Sequence, residues 1–368
     1  MDRTRQADNN RIESFQALRG LAFMGIFLCH AGACIEWSAL SVSVFFVLSG
    51  FLLTVRQGEE ELPVSFRECF RFARKRISKL YLLHLVTMGS ELILRGAILL
   101  FEGAAPAGYA RLAGETVLHV FLLQVWFPDT AVNTSLNGVS WYLSAMAFFY
   151  FLFPAICRWI RKKDHRILIG TALMLPLLQV LLCVPWLTSS WAYSSRFLWF
   201  SYFFPVFRAG DFLTGCILGK LICTDRKAFA GKDSVVKATL EEAGLTLLTV
   251  LIYLWVRQPS GHILLEAAQN HTTVYLILAA GWILLFLRKG GAITKVLCRP
   301  PFVWLGNLST GLFLIHFVVI RWISCAAAFL LPEQSPWLHG LLMTGAFALS
   351  VAAALLWKSC FPVKTADK

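Results

Sequence analysis

The chain has 368 residues, of which 57% are hydrophobic and only 15% are charged, and its mean hydropathy is +0.65. A soluble domain carries about 25% charged residues, so this composition excludes an ordinary soluble globular protein. The formal charge of +13 would suit a nucleic-acid binder. Because basic residues also collect in the cytoplasmic loops of membrane proteins, we expect no nucleic-acid partner.

Apolar runs of about 20 residues are long enough to cross a hydrocarbon core about 30 Å thick. Open sheets leave backbone groups unsatisfied in lipid, so these runs predict helices. We predict an all-α, polytopic membrane helix bundle of about ten transmembrane helices. They are expected at 15–35, 39–56, 80–100, 139–157, 167–186, 201–222, 239–256, 272–287, 302–325 and 338–357.

The segments between these runs predict how the chain is oriented. The polar N-terminus, 1–14, and the C-terminus, 358–368, are expected in the cytoplasm, with a tight external turn near Glu36–Ser41. A basic amphipathic stretch, 66–84, is expected along the inner interface. The apolar segment 113–127 is too short to span, so we predict a short re-entrant or interfacial segment; an external amphipathic helix is the alternative. This arrangement places most lysines and arginines inside, as the positive-inside rule requires.

The chain is expected to form a single domain, 1–368. Its ten cysteines stand singly, with no CxxC pair, so we expect neither a disulfide framework nor a metal site.

The first predicted helix carries Arg19 and His30 in an otherwise largely apolar run. A helix turns about 100° and rises about 1.5 Å per residue, so an eleven-residue step brings the two side chains within about 20° of each other and roughly 16 Å apart along the axis. Ionisable groups at membrane depth are costly and by default suggest function. His30 is therefore a candidate general base. A core histidine hydrogen-bonded to a neighbouring helix is the alternative.

Six segments in order resemble the membrane-bound acyltransferase-3 family, and the resemblance covers nearly the whole chain. The first is an arginine and a histidine separated by ten residues, here Arg19 and His30. The second helix carries FFVLSGFLL from Phe45 to Leu53, and a basic RxxR-like segment, 76–79, enters the third. The others are NGVSWYLSAMAFFYFLFP (137–154), FPVFRAGDFLTGCILGKL (204–221) and LGNLSTGLFLIHFVVI (305–320).

Four positions depart from the family pattern. Lys79 stands where a second arginine is expected, which keeps the charge but loses the planar guanidinium fork. Leu82 stands where a proline often follows, and Tyr142 replaces a serine. Met146 stands where many relatives carry a glutamate, so any role of that carboxylate has no equivalent at this position.

The resemblance implies an O-acyltransferase that moves an acyl group, expected to be acetyl, from cytoplasmic acyl-CoA to a hydroxyl of an extracytoplasmic glycan or envelope polysaccharide. It implies the bacterial cytoplasmic (inner) membrane as the location, membrane lipid as the surroundings and no metal. The catalytic roles fall on His30 and Arg19. Donor binding falls on Arg74, Lys75, Arg76 and Lys79, which the positive-inside rule alone would also explain.

The substrate-binding candidates lie on three later segments: Asn137, Trp141, Tyr142, Arg208 and His316. The two aromatic side chains could equally belong to the interfacial aromatic belt. Arg208 could simply pair with Asp211 at i, i+3. His316 could face His30 across the bundle.

Two other classes of function stay open on the sequence. A transporter or flippase for a polysaccharide or lipid-linked sugar would also use ten helices and buried charges, but we find no paired inverted repeats with broken helices. A sensor or scaffold that has lost catalysis is the other alternative, since Met146 replaces a carboxylate. Nothing in the sequence indicates an oligomeric state.

Overall fold

The structure is a computed structural model that describes residues 2–33, 37–225, 234–288, 290–331 and 335–362. Over these ranges the chain folds into helices joined by turns and contains no β-strand, so the predicted all-α fold is confirmed for them.

The helices, in chain order, are α1 Asp2–His30, α2 Trp37–Gln57, α3 Phe66–Phe101, α4 Pro106–Val120, α5 Thr130–Asn133, α6 Trp141–Arg161, α7 His165–Leu187, α8 Ser195–Leu198, α9 Pro205–Thr224, α10 Val235–Val256, α11 Ile263–Ala268, α12 His271–Arg288, α13 Ala292–Leu297, α14 Pro300–Leu330 and α15 Pro336–Cys360. Short 3₁₀ turns lie at Gln124–Trp126 and Gly138–Ser140, and a π-helical turn lies at Trp199–Phe203.

Six helical stretches in the described ranges are long and apolar enough to cross a membrane, so the protein is a multi-pass membrane protein. They are α2, α3, the stretch Gly138–Arg161 that contains α6, α7, α14 and α15. The other four predicted spans are present as α1, α9, α10 and α12, but the count of ten crossing helices stays a prediction.

The bounds of α1 correct the sequence-based prediction. The helix begins at Asp2 instead of residue 15, because no glycine or proline interrupts the polar leader. It ends at His30 instead of residue 35, because Gly32 adopts a left-handed conformation with φ of 78°. The backbone N–H groups of Gly32 and Ala33 bond to the carbonyls of Cys29 and Leu28, which is the Schellman ending of a helix. His30 is therefore the last residue of α1.

Three more predictions of where an element begins or ends are wrong. The amphipathic stretch 66–84 and the third span are one continuous helix, α3, because no helix-breaking residue separates them after the N-cap Ser65, whose side chain accepts from the Glu68 N–H. Residues 37–41 of the predicted turn Glu36–Ser41 lie inside α2, and Glu36 lies outside the described residues. The span expected at 201–222 is broken at Phe204, since Pro205 fixes its own φ and starts α9.

The short segment 113–127 is half helix and half turn. Its first half belongs to α4, and Leu122, with φ of 56°, lies in the turns that follow. Glu115 on α4 pairs with Arg95 of α3 at 3.4 Å and hydrogen-bonds Arg111 at 2.8 Å, which raises the pKa of the Arg111 guanidinium. Whether the segment is re-entrant or lies outside the bilayer stays a prediction.

Two pairs of helices form the centre of the bundle through backbone-to-backbone contact at glycines. On α14, a Cβ added to Gly306 would lie 1.7 Å from the Gln16 carbonyl oxygen of α1. On α9, a Cβ added to Gly215 would lie 1.9 Å from the Val47 carbonyl oxygen of α2. Small residues allow such close approach of membrane helices, so these contacts set the register of α1 on α14 and of α2 on α9.

Candidate active site

The contact between α1 and α14 brings together four polar side chains in two pairs. The Arg19 guanidinium donates to the Thr310 hydroxyl at 2.5 Å. Eleven residues further along α1, His30 Nδ1 lies 2.9 Å from His316 Nε2. Both α1 side chains therefore face α14, as their spacing predicts, and the predicted approach of His316 to His30 is confirmed.

The hydrogen bonds of the two histidines determine which nitrogen of each ring carries a proton. His316 is fully buried, and its Nδ1 lies 2.9 Å from the Leu312 carbonyl oxygen, which can only accept. His316 Nδ1 therefore carries the proton, and its Nε2 in the neutral ring accepts from His30 Nδ1–H. In neutral His30 this leaves Nε2 as a bare, basic nitrogen. This protonation is assigned from the network of partners.

His30 is only partly buried at the end of α1, while His316 lies inside the bundle. The Phe317 ring stands edge-on to His30 at 5.2 Å between centroids, and Phe23 stands edge-on to His316 at 5.4 Å. These rings hold both imidazoles in place.

A cavity opens among α1, α2, α3, α6 and α14, in two adjoining lobes of about 110 and 130 Å³, of which the second is the more polar. Arg19 and Arg76 line both lobes, and Arg56 lines the second. Three arginines thus face one small space, and no aspartate or glutamate is among the described residues that line it. We call this space the arginine cavity. Its net positive charge suits a phosphorylated or otherwise anionic ligand.

The wall of the arginine cavity is completed by side chains that can hydrogen-bond without charge. The Tyr142 hydroxyl of α6 lies 3.2 Å from the Ser49 hydroxyl of α2. Tyr150, about two turns further along α6, lines both lobes. Met146, at the position where the family often has a glutamate, lines the same space. The site thus carries a thioether there instead of a negative charge.

An aromatic cluster of Phe45, Tyr142 and Phe313 closes the cavity on the side of the histidines. The centroid of Phe313 lies 5.9 Å from Phe45, 5.2 Å from Tyr142 and 6.3 Å from His316. His30 and His316 are not among the residues that line the arginine cavity. The cavity therefore approaches the histidine pair to within one aromatic layer.

The four predicted donor-binding residues separate in the structure. Arg76 lines the arginine cavity, where its guanidinium also lies 5.0 Å from the Phe72 ring centroid. Arg74, Lys75 and Lys79 are exposed on the same helix, and their role stays a prediction. Arg56 was missed as a site residue, because a single arginine in the last turn of a helix is typical of the positive-inside pattern alone.

The remaining substrate-binding candidates are buried and partnered. Asn137 donates to the Thr87 hydroxyl at 3.0 Å and to the Leu314 carbonyl at 2.9 Å, so it ties the start of α6 to α3 and α14. Trp141 packs in the core with its ring 5.0 Å from Phe203. These placements show structural roles for both residues, and their predicted contact with substrate stays a prediction.

Arg208 and Asp211 form the expected i, i+3 ion pair at 3.4 Å, and neither side chain is exposed. The Arg208 guanidinium also donates to the Ser43 hydroxyl at 3.2 Å and lies 5.0 Å from the Phe46 ring centroid. The ion pair lies within α9, and removal of one partner would leave an uncompensated buried charge. The contacts of Arg208 with Ser43 and Phe46 join α9 to α2. The predicted contact of Arg208 with substrate also stays a prediction.

Comparison with known proteins shows the family of the chain. A family model described as an acyltransferase domain matches residues 12–357. The chain is 27% identical over 337 residues to the acyltransferase MdmB of Streptomyces mycarofaciens, and the aligned region covers 85% of this chain and 80% of MdmB. It is 24% identical over 350 residues to the peptidoglycan O-acetyltransferase OatA of Listeria monocytogenes, covering 87% of this chain but only 51% of that protein. No solved structure matches the chain. The chain therefore belongs to the acyltransferase-3 family, whose members are membrane acyltransferases that transfer groups other than amino-acyl groups.

Proposed function

We propose that this O-acyltransferase takes an acetyl group from acetyl-CoA on the cytoplasmic side of the bacterial inner membrane. It transfers the group to a hydroxyl of a glycan or envelope polysaccharide on the other side. One observation carries the proposal: an arginine-lined cavity approaches a hydrogen-bonded histidine pair to within one aromatic layer.

The arginine cavity suits the donor. CoA carries several phosphate charges, and guanidinium groups bind phosphate oxygens through paired N–H donors. Arg56 stands in the last turn of α2 and Arg76 in the first third of α3, toward the helix ends that we assign to the cytoplasm, and Arg19 lines both lobes together with Arg76. The pantetheine arm would extend from these arginines past Tyr142, with Phe313 turning aside to admit the thioester.

The histidine pair suits the acyl-transfer step. His30 Nε2 accepts the proton of the acceptor hydroxyl while the oxygen attacks the thioester carbon. The new C–O bond forms, the C–S bond breaks, and the departing thiolate takes the proton back from His30 Nε2. His316 accepts the His30 Nδ1–H throughout, which keeps the reactive nitrogen directed away from the pair.

The acceptor assignment has its support in a relative. OatA is named for O-acetylation of peptidoglycan, and this chain matches about half of that protein. His30 is partly exposed at the end of α1 that lies opposite to Arg56, which leaves room for a hydroxyl to approach from the side away from the donor. A glycan hydroxyl on the outer face is the acceptor that fits this direction.

The test is a reconstituted assay with labelled acetyl-CoA and a soluble glycan fragment. The wild-type protein should consume thioester and form an acetyl ester, whereas a flippase would consume none. His30→Ala should lower ester formation about 10²- to 10⁴-fold, the usual contribution of a general base. His165→Ala is the matched control, since His165 is exposed at the start of α7. Unchanged esterification by folded His30→Ala would remove His30 from the mechanism.

A further inference from the structure

A second basic pocket lies outside the arginine cavity, at the end of α6. Its volume is about 480 Å³, and it is lined by the segment 61–64, before α3, and by Arg158, Arg161 and Lys162 of α6. Sites for small ligands typically measure about 300–1,000 Å³. We call this space the α6-end pocket. Nothing in the mechanism above uses it.

The α6-end pocket has a fixed rim. The Arg161 guanidinium donates to the Gly58 carbonyl at 2.7 Å, which fastens the loop after α2 to the end of α6. Gly58 has a left-handed φ of 55°, so a residue without a side chain makes this turn. On the other side, Glu59 pairs with Lys220 of α9 at 3.1 Å. These two bonds fasten the loop before the segment 61–64 to α6 and to α9.

The α6-end pocket continues the line of the arginine cavity along two helices. Tyr150 lines the cavity and Arg161 lines the pocket, and the eleven-residue step from one to the other along α6 corresponds to about 16 Å along the axis and about 20° around it. The two side chains therefore lie on one face of α6. Arg56 of the cavity stands at the end of α2, five residues before Glu61 of the pocket. The pocket is therefore close in sequence to the cavity residue Arg56 and shares a face of α6 with Tyr150.

The lining has the chemistry of a site for a phosphorylated nucleoside. Arg158, Arg161 and Lys162 present three cations, more than a single phosphate group needs. The apolar wall at 62–64 offers a surface against which a base can pack, and the Glu61 carboxylate can accept from an exocyclic amine.

On the basis of the proposed function, we propose that the α6-end pocket binds the 3′-phosphoadenosine end of acyl-CoA. The arginine cavity then holds the diphosphate and the pantetheine arm. The enzyme thus binds the donor at both ends, and contacts with the nucleotide end increase affinity without taking part in the acyl-transfer step.

The experiment measures kcat and KM in proteoliposomes with two donors, acetyl-CoA and acetyl-dephospho-CoA, which lacks only the 3′-phosphate. The variant Arg158→Gln/Lys162→Gln leaves Arg161 on the Gly58 carbonyl and keeps the rim intact. Arg166→Gln is the control, because Arg166 is exposed on the neighbouring helix and does not line the pocket. Adenosine 3′,5′-bisphosphate serves as a competitor.

We expect the double variant to raise the KM for acetyl-CoA about tenfold with little change in kcat, the size of one lost charged hydrogen bond. Its preference for acetyl-CoA over acetyl-dephospho-CoA should disappear, and so should competition by adenosine 3′,5′-bisphosphate. The control should behave as the wild type. Equal KM values and an unchanged donor preference in the double variant would overturn the assignment.

Two further outcomes separate the possible failures. If the effect of the double variant requires anionic lipid in the vesicles and vanishes in zwitterionic lipid, the pocket binds a lipid headgroup and the assignment is wrong. If the wild type consumes no thioester, the proposed function fails. In that case direct binding of adenosine 3′,5′-bisphosphate to the wild type but not to the variant would still support a nucleotide pocket. Binding to neither would overturn it.

Discussion

At the scale of single residues, the central feature is a proton held between two imidazoles. His316 can accept from His30 at Nε2 because its single N–H, on Nδ1, donates to the Leu312 carbonyl. The second histidine therefore positions the first. The substrate contact expected for His316 from the sequence stays a prediction, and the positioning role gives a distinct kinetic prediction.

Replacing His316, which accepts the hydrogen bond from His30, should slow the acyl-transfer step and leave the binding of acetyl-CoA unchanged. His316→Leu leaves the His30 Nδ1–H without its partner, at a cost of about 1–3 kcal/mol, so kcat should fall roughly 5- to 150-fold. His316→Gln can present an oxygen near the position of Nε2 and should restore part of the rate. The measurement is kcat and KM for acetyl-CoA in folded variants. Equal rates for the Leu and Gln variants would contradict the positioning role.

Replacing the arginines of the arginine cavity should mainly weaken the binding of acetyl-CoA and change kcat less. Arg56→Gln and Arg76→Gln each remove a cation from the arginine cavity, so the KM for acetyl-CoA should rise about tenfold or more while kcat changes less. Arg67→Gln, on the exposed side of the same basic helix as Arg76, is the matched control. A rise in KM for the control as large as for the two cavity variants would show a general surface effect.

Site residues on a single helix could be predicted from the sequence, but the residues that line a cavity between helices could not. The Arg19 and His30 spacing follows from helix geometry alone, and so does their common face. Arg56 could not be predicted as a site residue, since its importance depends on α2, α3 and α6 meeting at one cavity. Arg74, Lys75 and Arg76 are adjacent in sequence, and only the packing of α3 determines that Arg76 turns inward.

At the scale of helices, the register of α1 on α14 determines whether the site exists. Gly306 permits the contact that aligns Arg19 with Thr310 and His30 with His316. Periodicity cannot reveal such a contact, because it depends on which helix each glycine meets. The sequence likewise could not show that 66–84 continues into α3, since an amphipathic stretch and a span share the same helical signal.

Adding one methyl group at this crossing should disrupt the site. In Gly306→Ala the new Cβ would meet the Gln16 carbonyl oxygen, so the helices must separate at a cost of about 1–3 kcal/mol. We expect a lower melting temperature in detergent and a loss of activity. Gly345→Ala on α15 is the control, because its Cβ would have nothing within 4 Å. If both variants melt like the wild type, the contact does not set the register.

The aromatic cluster between the cavity and the histidines should keep water from the thioester. Phe313→Ala removes the ring that contacts both Tyr142 and His316. Hydrolysis of acetyl-CoA without acceptor should therefore increase relative to ester formation. Phe329→Ala, on an exposed part of α14, is the control. Unchanged coupling between thioester loss and ester formation in Phe313→Ala would contradict this function of the cluster.

At the scale of the whole molecule, the bundle is asymmetric in charge and in access. The ends of α2 and α6 and the start of α3 carry the basic residues and the two basic spaces, and the end of α1 carries the partly exposed His30. The positive-inside rule assigns the basic end to the cytoplasm. Composition alone predicts a membrane protein, but the path that joins the two ends depends on the folded bundle.

Cysteine labelling tests this orientation. Lys163→Cys lies just after α6 at the basic end, and Thr134→Cys lies in the turns before the start of the same helix. In intact cells an impermeant maleimide should label Thr134→Cys above the wild-type background and should label Lys163→Cys only after permeabilisation. The reverse pattern would invert the bundle and contradict a cytoplasmic donor.

The proposed function requires one path for the donor, from the arginines to His30, and a structure with a non-hydrolysable thioether analogue of acetyl-CoA tests it directly. We predict phosphate oxygens on Arg56 and Arg76, the Phe313 ring displaced, and the acetyl carbon beside His30 Nε2 with room for one hydroxyl between them. An analogue bound with its acetyl end outside the arginine cavity, and with Phe313 still closed over the histidines, would contradict it.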